Sequence, residues 1–265
     1  MSGLLLVNPR SGDGRPSADD LREEAAKRGI DVRLLAEGDD PAEIARDADA
    51  GPLGMAGGDG SLAAVAEVAL ERDRPFVAIP FGTRNHFARD IGIDRDDPIA
   101  ALAAFEGAER RIDVGRVNGN LFLNNVSLGH YARLVNRREH HRRRREALAR
   151  ARALLLLARE RKPLGLKVDG RDVETHVALV ANNDYGLDLF SLGERERLDE
   201  GRLHVYLAHG WLPGTWEERA CDRVTIDSAR GRIEAAIDGE PAELETPLEF
   251  SIEPLALRVL LPPGL

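Results

Sequence analysis

Asn8-Pro9-Arg10-Ser11-Gly12 is the first of three glycine-rich turns that carry the most information in this chain. The other two are Gly57-Gly58-Asp59-Gly60-Ser61 and Pro80-Phe81-Gly82-Thr83-Arg84-Asn85. Each directly follows a short apolar strand and precedes a helical pattern. Glycine lets the backbone turn sharply and approach a ligand, while the next helix directs free N–H groups at an anion. The turns therefore predict one phosphate site, at which all three converge on a nucleotide. The apolar strands are Leu4 to Val7, Leu53 to Ala56 and Val77 to Ile79.

A second interpretation of these turns is purely structural. In a parallel sheet, glycine can serve only the geometry of a strand-to-helix turn and bind nothing. The polar side chains beside the glycines, among them Asn8, Ser11, Asp59 and Thr83, favour phosphate binding because an anion site needs such groups. The chain has no Gly-x-x-x-x-Gly-Lys-Ser/Thr sequence, which excludes the P-loop class.

The composition predicts a globular chain without disulfides. Of its 265 residues, 43% are hydrophobic and 31% are charged, which is typical of a soluble protein of this length. The net charge of -9 argues against a general nucleic-acid binder, so we expect no nucleic-acid partner. Cys221 is the single cysteine, which excludes an internal disulfide and a cysteine-based metal cluster. We see neither a secretory signal nor a transmembrane pattern and expect a cytoplasmic protein.

The pattern of elements changes near Val114-Gly115, where we place a domain boundary. Up to about residue 113, strands alternate with amphipathic helices, which predicts an α/β nucleotide-binding domain, residues 1–114, with a parallel sheet in Rossmann-like layers. From about residue 116, strand follows strand, which predicts a β-rich domain, residues 115–265, built as an antiparallel sandwich or, alternatively, a barrel. The strands expected there are Asn120–Ser127, Gly165–Val168, His176–Val180, Leu203–Ala208, Arg223–Ile226, Ile233–Ile237, Leu248–Ile252 and Leu257–Leu261.

A basic helical pattern, residues 130–162, interrupts the β-rich half. It contains the block Arg142-Arg143-Arg144-Arg145, and from Arg133 to Lys162 it has twelve basic residues against three acidic ones. Such a helix would contact anionic headgroups at a membrane surface. The alternatives are a solvated helix whose arginines pair with acids elsewhere on this acidic chain, and a homodimer contact. The adjacent His140-His141 point apart on a helix, so a metal site there is disfavoured.

The motifs resemble those of the diacylglycerol kinase catalytic family, which includes bacterial lipid kinases and sphingosine kinases. The family pattern is Asn-Pro-x-Ser-Gly, then Gly-Gly-Asp-Gly-Ser/Thr, then Gly-Thr-x-Asn-Asp-Phe-Ala, and finally Asp-Gly-Glu. Here these motifs are Asn8 to Gly12, Gly57 to Ser61, Gly82 to Ala88 and Asp238 to Glu240, in the same order. His86 departs from the pattern, because it stands where the family has an acid after the asparagine.

The resemblance implies an ATP- and Mg²⁺-dependent lipid kinase. Such an enzyme transfers the γ-phosphoryl group to the hydroxyl of diacylglycerol or a related lipid alcohol, which it would meet at the inner face of the membrane as a peripheral protein. Two alternatives remain: an NAD kinase-like phosphotransferase, and a nucleotide- or lipid-binding regulator without catalysis. The residues expected to bind the nucleotide are Asn8, Pro9, Arg10, Ser11, Gly12, Gly57, Gly58, Asp59, Gly60, Ser61, Gly82, Thr83 and Asn85.

Three carboxylates are candidates for catalysis. Asp59 would hold Mg²⁺ or orient the triphosphate; its alternative role is an Asx-turn or N-cap carboxylate. Asp113, which we place at the end of the strand Arg111-Ile112, matches an acid of the family and would be a second metal ligand; its alternative role is a plain turn residue. The resemblance implies that Glu240 is the general base, whereas by sequence alone Asp-Gly-Glu is only a hairpin turn.

Glu200 and His86 are the two positions where the family's pattern is altered. The loop Arg197 to Leu203 resembles the stretch where bacterial members bind a structural Mg²⁺, and Glu200 would be its ligand; the alternative is a turn between strands. His86 shares a helix face with Asp90, so we expect a hydrogen-bonded pair or a surface histidine. Because imidazole does not replace a carboxylate on Mg²⁺, the catalytic metal would depend on Asp59 and Asp113, or the activity has drifted.

Overall fold

The computed structural model describes residues 3–11, 16–82, 85–129, 163–185, 195–209 and 216–265. The strands, in chain order, are β1 (Leu4–Val7), β2 (Asp31–Leu34), β3 (Leu53–Gly57), β4 (Phe76–Pro80), β5 (Ala108–Val117), β6 (Asn120–Phe122), β7 (Asn125–Leu128), β8 (Leu164–Val168), β9 (Arg171–Thr175), β10 (Val177–Asn182), β11 (Leu203–Ala208), β12 (Trp216–Cys221), β13 (Arg223–Ser228), β14 (Arg232–Ile237), β15 (Glu240–Glu245) and β16 (Leu248–Leu261). The helices are α1 (Ala18–Lys27), α2 (Pro41–Arg46), α3 (Asp59–Glu71), α4 (His86–Asp90) and α5 (Pro98–Ala101), and a 3₁₀ turn covers Leu102–Glu106.

The chain divides into two units. The first contains Met1–Val114, the part Gly186–Glu200 and the last segment, Glu253–Leu265; the second contains Gly115–Tyr185 and Gly201–Ile252. The predicted domains 1–114 and 115–265 stay a prediction. The units differ from that simple division because the end of β16 and the segment around residue 195 bond to elements of the first unit.

A parallel sheet organises the first unit. Its strands are arranged in the order β2-β1-β3-β4, and the end of β16 adds a parallel partner to β4 through the pair Val259 and Phe76. β3 and β4 are buried along their whole length, as is typical of parallel strands covered on both faces. Leu21 of α1 and Leu62 of α3 are among the apolar residues that complete the core.

Two sets of strands form the second unit. One is an antiparallel sheet in the order β12-β11-β10-β7-β14-β15; the other runs from the start of β16 through β13 and β8 to β9. Both contribute to one apolar core, in which Phe122 and Phe250 meet edge to face with ring centroids 6.4 Å apart. The predicted fold class, an α/β sheet with Rossmann-like layers followed by an antiparallel sandwich, is confirmed.

The limits of three predicted strands are wrong. The expected strand Asn120–Ser127 is interrupted between β6 and β7, because the carboxylate of Asp238 accepts backbone N–H groups at this point. The expected strands Leu248–Ile252 and Leu257–Leu261 form the single strand β16, which contains Leu255 at φ 51°.

Some of the sequence-based expectations fall outside the described residues. These include the basic segment 130–162 with His140-His141, and the turn residues Gly12 and Thr83. Within the described ranges, no helix is long and apolar enough to cross a membrane.

Candidate functional site

The three glycine-rich turns follow the carboxyl-terminal ends of three parallel strands in the first unit's sheet. β1, β3 and β4 are parallel neighbours, so their carboxyl ends, and the turns that follow them, are adjacent. The first turn is attached directly to β3, since the backbone N–H of Asn8 donates to the carbonyl of Ala56 at 2.9 Å. Open α/β sheets bind their ligands at the carboxyl ends of the parallel strands.

The first turn is organised by Asn8. Its Oδ1 accepts the backbone N–H of Arg10 at 3.1 Å, and its carbonyl accepts the N–H of Ser11 at 3.1 Å. Pro9 and Arg10 are exposed, while Asn8 and Ser11 are half-buried. The side chain of Asn8 therefore shapes the turn, and the guanidinium of Arg10 is available to an anion.

The second and third turns touch at Gly58 and Gly82. A Cβ on Gly82 would lie 2.7 Å from the Cα of Gly58, so no larger residue fits there without a shift of the backbone. The side chain of Asn85 closes the third turn: its Oδ1 accepts the N–H of Gly82 and its Nδ2 donates to the carbonyl of Gly82, both at 2.9 Å. Asn85 itself is buried and left-handed, at φ 50°.

Gly58 has a different reason to be glycine. Its φ of -80° is open to any residue, and a Cβ built there would meet no atom within 4 Å. Neither backbone strain nor packing therefore requires glycine at this position, in contrast to Gly82. The open space above the backbone at the start of α3 is what the close approach of a phosphate needs.

Asp59 joins the second turn to the third. It begins α3 and is buried, and its two carboxylate oxygens accept the backbone N–H groups of His86 at 3.3 Å and Phe87 at 3.2 Å. The carboxylate thus satisfies the first free donors of α4 rather than those of its own helix. Each oxygen can accept more than one bond, so these contacts leave capacity for a cation or a bridging water.

Asp113 lies inside β5, and our placement of it at a strand end is wrong. It is buried, its Oδ1 accepts the N–H of Leu255 at 2.7 Å, and its own N–H donates to the carbonyl of Leu198 at 2.7 Å. The alternative of a plain turn residue is wrong as well, because these bonds attach β5 to β16 and to a distant loop. Leu255 has a left-handed backbone, so the carboxylate supports a strained bend in β16.

Glu240 begins β15 in the second unit and its side chain is exposed. It follows a two-residue hairpin turn in which Asp238 and Gly239 both have positive φ, 49° and 86°. This is the backbone of a type I′ turn, which Asp-Gly favours. The hairpin interpretation is therefore confirmed, and the role of Glu240 as a base stays a prediction.

Asp238 is a residue whose importance the sequence analysis missed. Its buried carboxylate accepts the N–H groups of Leu123 at 2.8 Å, Asn124 at 2.7 Å and Asn125 at 3.1 Å, and its own N–H donates to the carbonyl of Asn125. Four bonds therefore hold the turn before Glu240 against the segment between β6 and β7. Aspartate in an Asp-Gly turn is the only signal of this in the sequence, and it does not reveal the partners.

A buried ion pair lies at the end of α4. The Oδ2 of Asp90 accepts Nε of Arg195 at 2.8 Å, with the two side chains 1% and 0% exposed, and Oδ1 accepts Nη2 of Arg89 at 2.7 Å. The pair expected between His86 and Asp90 stays a prediction. Arg195 was missed because 105 residues separate it from Asp90.

Glu200 lies half-buried in the segment that leads into β11. The carbonyl of Leu198 anchors this segment to β5 by accepting the N–H of Asp113. Within the segment, the exposed Arg197 donates to Asp199 at 3.1 Å. Among the residues that the structure describes, Glu200, Asp59 and Asp113 belong to no cluster of three metal-ligating side chains. Their service as Mg²⁺ ligands stays a prediction.

Comparison with known proteins gives a consistent result. Residues 2–117 match the family described as the diacylglycerol kinase catalytic domain. A Pseudomonas aeruginosa protein named "Probable lipid kinase YegS-like" is 31% identical over 291 residues, covering 98% of this chain and 94% of that protein. A protein of the same name from Pseudomonas fluorescens is 30% identical, covering 90% and 87%. A crystal structure described as a diacylglycerol kinase from Bacillus anthracis is 18% identical and shares the fold, with a TM-score of 0.71 over 99% of this chain and 97% of that chain.

Proposed function

Since the chain belongs to the diacylglycerol kinase catalytic family, we propose that it is a lipid kinase that uses Mg²⁺ and ATP to phosphorylate the hydroxyl of diacylglycerol or a related lipid alcohol. The observation that carries the proposal is the position of the three turns, side by side at the carboxyl ends of β1, β3 and β4. There, Gly58 leaves open space above the backbone at the start of α3, and Asp59 links this turn to the next. The geometry suits a triphosphate, whose oxygens accept bonds from backbone N–H groups.

The chain's own residues have separate parts in this reaction. The turns bind and orient the phosphates, with Arg10 and Ser11 on the first turn and Thr83 on the third as polar partners. Asp59 and Asp113 fit Mg²⁺ chemically, because this ion prefers carboxylate oxygens. Bound there, the ion would neutralise charge that develops on the phosphoryl oxygens.

Glu240 is the base of the proposed reaction. Its exposed carboxylate accepts the proton of the lipid hydroxyl as that oxygen forms a bond to the γ-phosphorus. The bond from this phosphorus to the β–γ bridging oxygen breaks, and its electron pair leaves with ADP. The products are the lipid phosphate, ADP and a protonated Glu240, which returns its proton to water.

The test of the proposal is label transfer from [γ-³²P]ATP to candidate lipids in mixed micelles. We expect labelled lipid phosphate with the wild-type protein and a loss of at least 10²-fold in kcat for Glu240→Gln, with nucleotide binding retained. Glu243→Gln, on the same strand and also exposed, is the matched control. Normal ATP binding without label on any lipid would overturn the lipid-kinase proposal. Formation of NADP⁺ from NAD⁺ would show that the acceptor is NAD⁺ and not a lipid.

His86 favours a second candidate, a nucleotide- or lipid-binding regulator. It stands at the start of α4, beside the carboxylate of Asp59, where the family has an acid. If the protein binds ATP tightly without turnover and His86→Asp changes nothing, the regulator is supported. Appearance of lipid phosphorylation in His86→Asp alone would instead identify a kinase whose activity has drifted.

We also propose that the protein works in the cytoplasm and meets its lipid at a membrane surface through the basic segment 130–162. Its arginine-rich composition suits anionic headgroups, and the attraction should weaken with salt. Cosedimentation should occur with vesicles that contain phosphatidylserine and fail with purely zwitterionic ones. Equal binding to both kinds would contradict the proposal.

A further inference from the structure

Three metal-ligating side chains of the second unit converge at one end of its antiparallel sheet. They are Asp184, just after β10, His204 on β11 and Glu218 on β12. The Nδ1 atom of His204 lies 2.9 Å from Oε1 of Glu218 and 3.9 Å from Oδ1 of Asp184, and all three ligand atoms lie within 4.8 Å of one another. This cluster belongs to none of the turns or carboxylates discussed above.

The register of the sheet produces the cluster. β11 and β12 are antiparallel with Tyr206 opposite Glu218 and Ala220 opposite His204, so His204 and Glu218 are diagonal neighbours on one face. His204 is 7% exposed, whereas Asp184 and Glu218 are 66% and 51% exposed. A buried imidazole is thus paired with two carboxylates that open to solvent.

The ligand geometry is supported by a surrounding shell of contacts. The hydroxyl of Tyr206 donates to Oδ1 of Asp184 at 2.8 Å and accepts the backbone N–H of Tyr185 at 2.9 Å. The ring of Tyr206 also lies against that of His204, with centroids 6.1 Å apart and planes 25° apart. A hydroxyl that hydrogen-bonds a carboxylate and orients it in this way is typical of the shell around metal ligands.

We propose that Asp184, His204 and Glu218 bind one divalent first-row transition-metal ion of the Zn²⁺ type. Zn²⁺ bonds to imidazole nitrogen and carboxylate oxygen are about 2.0–2.2 Å long, so two such ligands on one ion lie roughly 3–3.6 Å apart. The separations from Nδ1 are 2.9 Å, a hydrogen bond that the ion would replace, and 3.9 Å, and the two carboxylate oxygens lie within 4.8 Å of each other. Shifts of about 1 Å in the two exposed carboxylate side chains would bring all three pairs into this range. The two carboxylates balance the charge of the ion, and solvent completes its coordination on the exposed side.

The chemistry of the ligands distinguishes this ion from the Mg²⁺ of the proposed kinase reaction. An imidazole nitrogen suits Zn²⁺, whereas Mg²⁺ prefers oxygen ligands and keeps its waters. The bound ion would join the end of β10 to β11 and β12. Because such a site is assembled only in the folded state, occupancy should stabilise the protein.

Binding of Zn²⁺ alone to the chelator-treated full chain tests the proposal. We expect equilibrium dialysis to give one ion per chain at micromolar free Zn²⁺, with an unfolding temperature that rises with Zn²⁺ concentration. Glu218→Gln and Asp184→Asn should each weaken this binding at least tenfold and reduce the thermal shift. Both replaced side chains are exposed, so these variants should fold; millimolar Mg²⁺ should not compete.

Glu217→Gln is the matched control, because Glu217 is the neighbouring glutamate of β12 and points to the opposite face. It should retain wild-type affinity. Co²⁺ in place of Zn²⁺ should give visible d–d absorption that Glu218→Gln removes. Absence of saturable binding, or equal affinity in wild type and Glu218→Gln, would overturn the metal site and leave the kinase proposal untouched.

Discussion

Gly58 and Gly82 lie against each other on neighbouring turns, yet they have different physical roles. At Gly82 a side chain would collide with the backbone of Gly58, whereas at Gly58 it would point into open space. One glycine therefore serves packing between two turns, and the other leaves room above the start of α3. This difference separates the contribution of the turns to stability from the role in phosphate binding that we propose for them.

Replacing each glycine by alanine tests this separation. We expect Gly58→Ala to lower the free energy of unfolding by only about 0.5 kcal/mol, since alanine is a poorer N-cap than glycine but its Cβ meets no neighbour. ATP affinity should nevertheless fall at least tenfold. Gly82→Ala should destabilise the protein by about 2 kcal/mol because of the backbone collision. Urea unfolding and ATP titration measure both effects, and unchanged ATP affinity in Gly58→Ala would contradict the phosphate role of this turn.

Asp238 offers a second prediction for a single residue. Asp238→Ala would leave three backbone N–H groups without this acceptor, two of them buried and that of Asn125 partly buried, so we expect a loss of about 3 kcal/mol in the free energy of unfolding. Asp238→Asn should lose less, because one amide oxygen still accepts. Since the turn positions Glu240, the asparagine variant should lower kcat more than it raises KM.

The matched comparison for Asp238 is Asp169→Asn. Asp169 and Gly170 form the same kind of left-handed turn between β8 and β9, but the carboxylate of Asp169 is more exposed and accepts a single backbone N–H, that of Thr225. We expect a smaller loss of stability and an unchanged kcat. An equal drop in kcat for both variants would show that Asp238 has no special positioning role.

At the scale of elements, β5 and β16 are bonded within the first unit by charged side chains as well as by the backbone. Arg258 on β16 donates to both carboxylate oxygens of Glu109 on β5, at 2.9 and 2.7 Å, and to the carbonyl of Asp73 at 2.7 Å. The hydrogen bond from Arg258 lowers the pKa of Glu109, and its positive charge adds to this effect. A bidentate pair of this kind fixes the strands more firmly than a single surface ion pair.

The lowered pKa of Glu109 predicts a pH dependence. A carboxyl whose pKa is lower in the folded state adds stability above its ordinary pKa, and this is lost as the pH falls through the folded value. At pH 7, Glu109→Gln should cost about 0.5–1 kcal/mol, a modest figure because the pair is partly exposed. The difference from wild type should shrink as the pH falls below 4.5. Denaturant titrations at several pH values measure the difference in free energy of unfolding between wild type and Glu109→Gln, with the exposed Glu106→Gln as the control. A difference that does not change with pH would contradict the pairing.

The strands predicted from the sequence and those missed differ in position. Buried strands such as β1, β3 and β11 have continuous or alternating apolar residues, and their patterns predict them. The missed strands are β2, β9, β12 and β15, and each lies at an edge of its sheet. Backbone hydrogen bonds define these strands, but their side chains are mostly exposed, as in Trp216–Cys221. Their sequences therefore show little apolar pattern.

At the scale of the whole molecule, the contacts between distant segments were the least predictable. The motifs located the three turns and Asp59, because short glycine-rich sequences encode their own geometry. The pairing of Asp90 with Arg195 and of Phe76 with Val259 depends on how remote parts of the chain meet. Local residue patterns contain no information about such partners.

The buried Asp90–Arg195 pair gives a prediction at this scale. Arg195→Met should destabilise the protein by about 3 kcal/mol, because the buried carboxylate of Asp90 loses its fully buried partner and keeps only the partly exposed Arg89 of the two arginines. The double variant Asp90→Leu/Arg195→Met should be more stable than Arg195→Met alone, since the buried charge is gone. Thermal and urea unfolding of these two variants and of Asp90→Leu alone measures the coupling. Additive losses would show that the two side chains act independently.

The parallel pairing of β4 with the end of β16 constrains the order in which the chain can fold as it is made. During synthesis, Phe76 leaves the ribosome long before Val259, with the whole second unit between them. The outer edge of β4 then presents unpaired backbone groups to the cell until the closing strand arrives. The nascent first unit should therefore be a client of ribosome-associated chaperones, and it reaches its final hydrogen bonding only after β16 has left the ribosome.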